Sequence, residues 1–333
     1  MELRVAGGCG EPRGFSVAIS SVQCYNLVIV RQMPCGEAEL PGGSAMKIKD
    51  ILSQKKPTVS FEIFPPNKRM SLGQVMAASA AMSVQRPDFM IVTYGAAGGT
   101  KENTVKIASS LQDFLGIPSI AHLTCVATEK EKVKAIALEM KAAGIENVLA
   151  LRGDIQEGIA YPAPDKYAHA SELVAAIREL GDFCVGGACY PEGHPEAASR
   201  EQDILHLREK VDAGCDFLTT QMFFDNDLFR DYLNEIRAKG IDVPVLAGIM
   251  PVTNAAQLRR IYSLSQAKMP RKFERLVDRF GDKPEAMMQA GIAYAVDQIV
   301  DLIATGVDGI HIYTMNKPQV AAKIMASIEH IIE

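Results

Sequence analysis

Short β-branched or apolar runs alternate with amphipathic stretches of helical period from residue 58 to the end of the chain. This alternation is typical of repeated βα units, which build a parallel sheet with helices packed outside it. The runs cover residues 58–64, 89–95, 119–126, 147–153, 183–190, 217–223, 243–249 and 309–314. Eight strands with helical crossovers predict the α/β class and a single (β/α)8 TIM barrel, which takes about 250 residues.

An open, doubly wound sheet is the alternative that 333 residues, 48% of them hydrophobic, also permit. Proteins with that sheet usually hold phosphate through a glycine-rich motif at a helix N-terminus. The sequence contains neither a GxGxxG motif after the first strand nor a GxxxxGKS/T motif. The absence of both motifs favours the closed barrel.

Helix signals occupy the segments between the strands. Thr128 and Glu131 have the spacing of a capping box, and Gly144 is the expected stop of the same helix. The apolar face of this helix consists of Val133, Ile136, Ala137 and Met140. Residues 203–213 and 290–304 carry similar apolar stripes. Residues 250–308 are too many for one helix, so we expect two or three helices there and thus extra helices before the last strand.

The first 45 residues differ in character from the rest of the chain. They contain glycine-rich turns, little periodicity and three of the seven cysteines. They lack the charged start, long apolar middle and cleavage site of a signal peptide. We therefore expect residues 1–45 to be a poorly ordered extension and residues 46–333 to form the barrel. Because the chain ends soon after the eighth strand, we expect no C-terminal regulatory domain in it.

The composition excludes several classes of function. A formal net charge of -5 without any run of lysine and arginine argues against nucleic acid as a partner. No apolar run approaches the roughly 20 residues that cross a bilayer, so we expect no membrane association. The seven cysteines include no CxxC pair, which argues against a disulfide framework or zinc knuckle and suits a reducing cytoplasm.

Polar side chains stand at the ends of the eight runs, where a barrel of this kind has its active site. They are Glu62, Thr93, Tyr94, His122, Thr124, Arg152, Asp154, Tyr190, Gln221, Tyr313 and Asn316. Buried polar groups cost free energy unless they are paired, so a ring of them at one end predicts a ligand site.

Glu62 is the strongest catalytic candidate in this ring. It stands among Phe61, Ile63 and Phe64, just before two prolines, so little water should reach its carboxyl group. Such an environment favours the neutral acid, which can serve as a proton donor. The alternative is a structural carboxylate in a salt bridge to a neighbouring strand.

The other candidates leave more than one interpretation open. Arg152 and Asp154 flank a glycine turn and either bind a ligand or pair with each other. His122 is either a ligand contact or a satisfied core histidine. Gln221 has an amide that donates and accepts together, which matches the edge of a heterocycle. The histidines have no metal-ligand spacing, so we predict no metal site.

Seven motifs recur in order at the predicted strand ends: SFEIFPP (60–66), VTYGA (92–96), AHLTC (121–125), LRGD (151–154), ACYPEGHPE (188–196), TQMFFD (220–225) and YTMN (313–316). With them, residues 47–333 resemble methylenetetrahydrofolate reductases of the bacterial type. The resemblance implies a non-covalent FAD that takes hydride from NADH or NADPH. The hydride then passes to 5,10-methylenetetrahydrofolate and gives 5-methyltetrahydrofolate, in one-carbon metabolism and methionine supply.

The resemblance also implies roles for individual residues. Glu62 would be the acid that opens the folate imidazolidine ring, and Asp154 would act near both flavin and pterin. The flavin-contacting positions would be Thr93, His122, Arg152, Gly153, Asp154, Ala188, Tyr190, His194, Asp203 and Lys210. The folate-binding positions would be Glu62, Gln221, Tyr313 and Lys317.

Two positions depart from the pattern of the family. Ile261, next to Tyr262, stands where the bacterial enzymes have an aromatic residue that packs on substrate. Lys317 stands where an arginine can meet the folate glutamate tail, so the charge is kept and the bidentate fork is lost.

Two other interpretations remain open. In the first, the chain is a folate-binding barrel subunit of a one-carbon assembly and performs no redox chemistry. In the second, the chain is a reductase that receives electrons from a partner protein. The sequence has no iron–sulfur cysteine pattern, so such a centre would lie on another chain. The resemblance further implies a homo-oligomer.

Overall fold

A computed structural model of the protein describes residues 46–94, 101–155, 161–264 and 268–332. Eight parallel strands form a closed barrel in sequential order. The strands are β1 (Thr58–Ile63), β2 (Phe89–Val92), β3 (Ser119–Thr124), β4 (Asn147–Leu151), β5 (Cys184–Cys189), β6 (Phe217–Thr220), β7 (Val245–Ile249) and β8 (Gly309–Ile312). The (β/α)8 barrel is therefore confirmed. All strands but β7 end before the predicted bound, so several predicted site residues lie in the loops that follow.

Helices surround the barrel and close one end of it. They are α1 (Ile48–Gln54), α2 (Leu72–Ser83), α3 (Lys101–Leu115), α4 (Lys130–Ala142), α5 (Ala170–Glu179), α6 (Arg200–Asp212), α7 (Asn226–Ala238), α8 (Ala255–Leu264), α9 (Arg271–Phe280), α10 (Pro284–Ala304) and α11 (Pro318–Ile328). Three helices, α8 to α10, lie between β7 and β8, as residues 250–308 predict.

Alternate residues of each strand face opposite sides of the barrel wall. Val59, Phe61 and Ile63 of β1 belong to the large apolar core shared with the surrounding helices. Ser60 pairs in register with Phe89 of β2 and with His311 of β8, and all three belong to the set that faces the lumen. The lumen-facing set therefore includes polar side chains such as Ser60 and His311, while the outward-facing residues pack against the helices.

The N-terminal end of the barrel is closed by α1, a helix that sequence reasoning did not predict. Ile48, Ile51 and Leu52 of α1 form an apolar cluster with the first lumen-facing residues of the strands, including Phe89 and Phe217. The Ile48 amide also donates to the Asn147 side chain at 3.0 Å. Since this end is filled with apolar side chains, a ligand must enter from the opposite end.

The predicted capping box of Thr128 and Glu131 is wrong. Helix α4 begins at Lys130, and its N-cap residue Glu129 makes no side-chain capping bond. The Thr128 amide instead donates to the Cys125 carbonyl at 3.2 Å, which places Thr128 in the turn after β3. The apolar face predicted for α4 is buried, and the helix is followed by Gly144 at a φ of 74°.

Two further helices begin earlier than predicted. Helix α6 begins at Arg200 because the Ser199 side chain accepts from the Gln202 amide and caps it there. Helix α10 begins at Pro284, a residue that fits the first turn of a helix because its missing N–H is not needed there.

Some predictions fall on residues outside the described ranges. The extension at residues 1–45, together with Gly95 and Ala96 of the second motif, lies there, so the division at residue 45 stays a prediction. Within the described ranges, no helix is long and apolar enough to cross a membrane.

Candidate active site

Glu62 lies at the lumen side of β1, one register step above the pair formed by Ser60 and His311. Its side chain is 6% exposed, and no hydrogen bond or ion pair reaches its carboxyl group from the described residues. Burial raises the pKa of Glu62 from 4.5 to about 8. The salt-bridge interpretation is thus wrong for the described structure, and Glu62 holds its proton at neutral pH.

Tyr313 forms the neighbouring wall of this site on the loop that follows β8. Its hydroxyl donates to the Thr220 carbonyl at 2.7 Å, which fixes the ring beside β6. Burial, together with the negative charge of Glu62, raises the pKa of Tyr313 well above its ordinary value. Thr314 donates its hydroxyl to the Glu62 carbonyl at 2.8 Å, so the ends of β1 and β8 are tied together.

Two neutral imidazoles lie in the lumen below these groups. The Ser60 hydroxyl and His311 Nδ1 are 3.0 Å apart, and the His311 ring meets the Tyr313 ring edge-on at 5.0 Å. His122 is buried on β3, and its Nε2 has no partner among the described residues. Burial lowers the pKa of both histidines to about 3. His122 is therefore not a satisfied core histidine, and neither ring gives Glu62 a counter-ion.

Arg152 pairs with Glu196 and not with Asp154, so the interpretation as an Arg152–Asp154 pair is wrong. Both terminal nitrogens of the guanidinium donate to the Glu196 carboxylate at 2.6 Å. Asp154 is exposed and has no partner among the described residues. Between them, Gly153 has a φ of 86°, and a Cβ there would come within 3.2 Å of Thr124. The tight turn therefore requires glycine and leaves the Asp154 carboxylate available.

The loop after β5 and the helix α6 bring five other predicted residues together. Lys210 donates to the Ala188 carbonyl at 2.6 Å, and burial lowers the lysine pKa. The His194 amide donates to the Asp203 carboxylate at 3.2 Å. The rings of Tyr190 and His194 meet edge-on at 4.7 Å, and burial raises the pKa of Tyr190 to about 12. Since the charges of Arg152 and Asp154 also act on Tyr190, this group adjoins the β4 loop.

Thr93 and Gln221 begin the loops after β2 and β6. Thr93 is buried, its amide donates to the Ile63 carbonyl at 2.9 Å, and its own carbonyl accepts from Thr104. The Gln221 side-chain oxygen accepts from the Met222 amide at 3.0 Å. Because this contact uses only the oxygen, the NH₂ group of the partly exposed Gln221 remains able to donate to a ligand.

The two positions that depart from the family pattern have different surroundings. Lys317 is partly exposed, donates to the Thr253 hydroxyl at 2.9 Å, and has a pKa lowered by burial. Ile261 is buried in an apolar cluster with Phe224 and Phe273. The Lys317 side chain therefore contacts the loop after β7, whereas Ile261 contributes to the core.

Asn316 is a structural residue of the mouth. Its side-chain oxygen accepts from the Phe64 amide at 2.9 Å, and its side-chain nitrogen donates to the Phe64 carbonyl at 2.8 Å. Both Met315 and Asn316 have a φ of 54°. The amide of Asn316 thus acts like a neighbouring strand and holds the loop that follows Glu62.

Sequence reasoning missed the contacts of two residues, His311 and Glu196. His311 lies two residues before Tyr313. The alternation of inward-facing positions along β8 would therefore have predicted that His311 faces the lumen. Glu196 stands in the fifth motif, but nothing in its surroundings there indicates that it pairs with Arg152.

A closed barrel with a polar, ligand-competent mouth and a protonated buried carboxyl group defines an enzyme of the (β/α)8 class. Within that class, the chain belongs to the methylenetetrahydrofolate reductase family, whose family model matches residues 47–329.

The names of similar proteins agree with this family assignment. A 5,10-methylenetetrahydrofolate reductase of Pectobacterium carotovorum is 35% identical over 81% of this chain and 90% of its own length. The protein of that name in Escherichia coli is 34% identical over 80% of this chain and 88% of its own. The chain also matches methylenetetrahydrofolate reductase (NADH) 1 of Zea mays at 33% identity, but spans only 50% of it.

A solved structure has the same fold at low sequence identity. It is an uncharacterized protein from Clostridium thermocellum, described as binding two copies of 5-methyl-5,6,7,8-tetrahydrofolic acid. Its TM-score is 0.61 at 15% identity, with coverage of 86% of this chain and 100% of that one.

Proposed function

We propose that the protein reduces 5,10-methylenetetrahydrofolate to 5-methyltetrahydrofolate, using a non-covalent FAD and electrons from NADH or NADPH. The observation that carries the proposal is Glu62, a buried carboxyl group at the mouth that no described cation neutralises. A fold retains an unpaired acid of this kind at a cost in stability, which is typical of a catalytic proton donor.

The residues around the mouth fit a flavin. His122 Nε2 is buried without a partner, as a polar atom is when a ligand completes its hydrogen bonding. The turn at Gly153, whose φ of 86° favours glycine, separates Arg152 from Asp154, and the Arg152 guanidinium is a cation suited to phosphate. The residues that would hold the flavin are Thr93, His122, Arg152, Gly153, Asp154, Ala188, Tyr190, His194, Asp203 and Lys210. Bound FAD would supply the hydride transfer between nicotinamide and folate.

The protein's own groups account for the proton and charge chemistry. With a pKa of about 8, Glu62 carries a proton at neutral pH and donates it to the folate nitrogen released when the imidazolidine ring opens. The Asp154 carboxylate stabilises the cationic folate that results. Gln221 donates from its free NH₂ group to the pterin, and the Lys317 ammonium attracts the folate carboxylates.

The similar proteins support the substrate and the donor. Relatives at 35% and 34% identity are named 5,10-methylenetetrahydrofolate reductases, and the maize relative is named for NADH. We propose that NADH or NADPH is the donor, and both are included in the test below.

An absorbance spectrum followed by anaerobic mixing tests the proposal. The purified protein should show oxidised flavin bands or take up added FAD. NADH or NADPH should bleach those bands, and methylenetetrahydrofolate should then restore them. A protein that neither contains nor takes up FAD would refute the proposal. A flavoprotein that no nicotinamide bleaches, but that reduced ferredoxin does, would favour the partner-fed alternative.

We further propose that the protein works in the cytoplasm as a homo-oligomer. If it is instead a subunit of a one-carbon assembly, an accessory one-carbon subunit is its partner. Light scattering during gel filtration tests the oligomeric state. A monomer at micromolar concentration would contradict that part.

A further inference from the structure

Glu196 contacts two predicted flavin-binding residues that lie on different loops. Its carboxylate accepts from both terminal nitrogens of Arg152, after β4, at 2.6 Å. Its backbone amide donates to His194 Nδ1, after β5, at 3.1 Å. Glu196 therefore joins the two loops at the point where their cationic and donor groups meet.

The Arg152 guanidinium is fixed on several sides. Its Nε donates to the Gly153 carbonyl at 3.2 Å, and its Cζ lies over the Tyr161 ring, 5.5 Å from the ring centroid. A guanidinium has five N–H groups, of which Gly153 and Glu196 take three and the Tyr161 hydroxyl accepts from another, so one is left for a ligand. Arg152 is 19% exposed and Glu196 is 52% exposed. The pair is thus close enough to solvent to meet a ligand, while the orientation of the fork is set by the protein.

The second contact of Glu196 fixes the donor of His194. Since Nδ1 accepts from the Glu196 amide, the neutral imidazole carries its proton on Nε2. Burial lowers the pKa of His194, which favours this neutral form. The His194 amide is in turn tied to Asp203, and its ring lies against Tyr190. These contacts of the loop after β5 therefore fix both the ring and the tautomer of His194.

An ion pair as exposed as this one contributes little to folding stability. Its geometric effect is larger, because a bidentate pair restricts a long, flexible side chain to one orientation. A carboxylate also repels a nearby anion. If removal of the Glu196 charge weakens anion binding, positioning of Arg152 is the larger effect; if it strengthens anion binding, repulsion is.

We propose that Glu196 is a positioning residue for the diphosphate of FAD: its carboxylate orients the Arg152 guanidinium so that its remaining N–H group is available to that anion. The inference rests on the proposed flavin function. It predicts that Glu196→Gln, which keeps the shape and removes the charge, weakens FAD binding on the order of tenfold.

A double-mutant cycle on the full chain tests the inference. FAD affinity is measured by flavin fluorescence for the wild type, Glu196→Gln, Arg152→Ala and the double variant, all freed of flavin beforehand. Positioning through Arg152 predicts that Glu196→Gln has no further effect once Arg152 is alanine. Glu235→Gln is the matched control, because Glu235 is 46% exposed and pairs with Arg200 at 2.7 Å.

The outcomes separate this inference from the proposed function. If the wild type does not bind FAD, the proposed function fails. If the wild type binds FAD and Glu196→Gln binds it equally or more tightly, only the positioning role is overturned. Additive losses in the double variant would also overturn it, because Glu196 would then act independently of Arg152. Circular dichroism and melting curves confirm that each variant is folded.

Discussion

Glu62 makes the stability of this protein depend on pH in a way that Glu62→Gln should abolish. In the unfolded chain Glu62 ionises near its ordinary pKa of 4.5, whereas in the folded protein it keeps its proton until about pH 8. Below pH 4.5 both states hold the proton, and Glu62 has no pH-linked cost. Between the two values only the folded state holds it, so the free energy of unfolding falls as pH rises.

The two pKa values set the size of the effect. One pKa unit corresponds to about 1.4 kcal/mol, so the loss attributable to Glu62 reaches about 3 kcal/mol at pH 7 and about 5 kcal/mol above pH 8. Glutamine has no charge to bury, so its cost at this position does not change with pH. Relative to wild type, Glu62→Gln should therefore gain about 3 kcal/mol between pH 4.5 and pH 7.

Urea denaturation followed by circular dichroism measures this difference at pH 5, 6, 7, 8 and 9, without added flavin. Taking the difference between variants cancels the titration of all other groups. Ser119→Ala serves as the control: it removes a buried hydroxyl that donates to the Ala108 carbonyl at 3.0 Å, on the outer face of the barrel. Its difference from wild type should be the same at every pH. A flat difference for Glu62→Gln would refute the raised pKa and the protonated state inferred from it.

Further predictions concern Asp154 and Lys317 at the mouth and the packing around two glycines. Asp154→Asn should slow flavin-to-folate transfer at least tenfold in anaerobic stopped flow; an unchanged rate and flavin potential would contradict its role. Gly248→Ala, which places a Cβ 2.5 Å from the Thr220 carbonyl oxygen, should cost about 1–3 kcal/mol in urea denaturation. Gly73→Ala on α2, with nothing within 4 Å, should instead gain up to about 1 kcal/mol, and equal shifts would contradict the packing argument. Lys317→Ala should raise the KM for folate on the order of tenfold with little change in kcat, and a lower kcat alone would contradict its binding role.

The barrel was predictable from sequence because its strands are short apolar runs separated by helical periods. The ends of the strands were less predictable, since a strand ends where its neighbour stops pairing and a single run does not reveal that. Residues 93 and 94 continue the β-branched and aromatic pattern of β2, but the strand ends at Val92. Helix α1 was missed because its seven residues are too few to establish a period.

The site was predictable in its residue types and less so in its contacts. Glu62 stands out because it is a carboxylate in an apolar run, and its burial needs no knowledge of distant residues. The partner of Arg152 is 44 residues away, and that of Ser60 is 251 residues away. Local spacing favours Asp154 as the partner of Arg152, and only the folded arrangement of the β4 and β5 loops shows that Glu196 takes that place.

The proposed role of Glu62 as proton donor is tested most directly by separating the two proposed half-reactions of Glu62→Gln in anaerobic stopped flow. Donating a proton to folate is required only in the second half-reaction, so the nicotinamide should still reduce the flavin at close to the wild-type rate. Transfer from the reduced flavin to methylenetetrahydrofolate should nearly stop. Equal loss of both steps would contradict the account, because Glu62 would then serve only to hold the barrel mouth together.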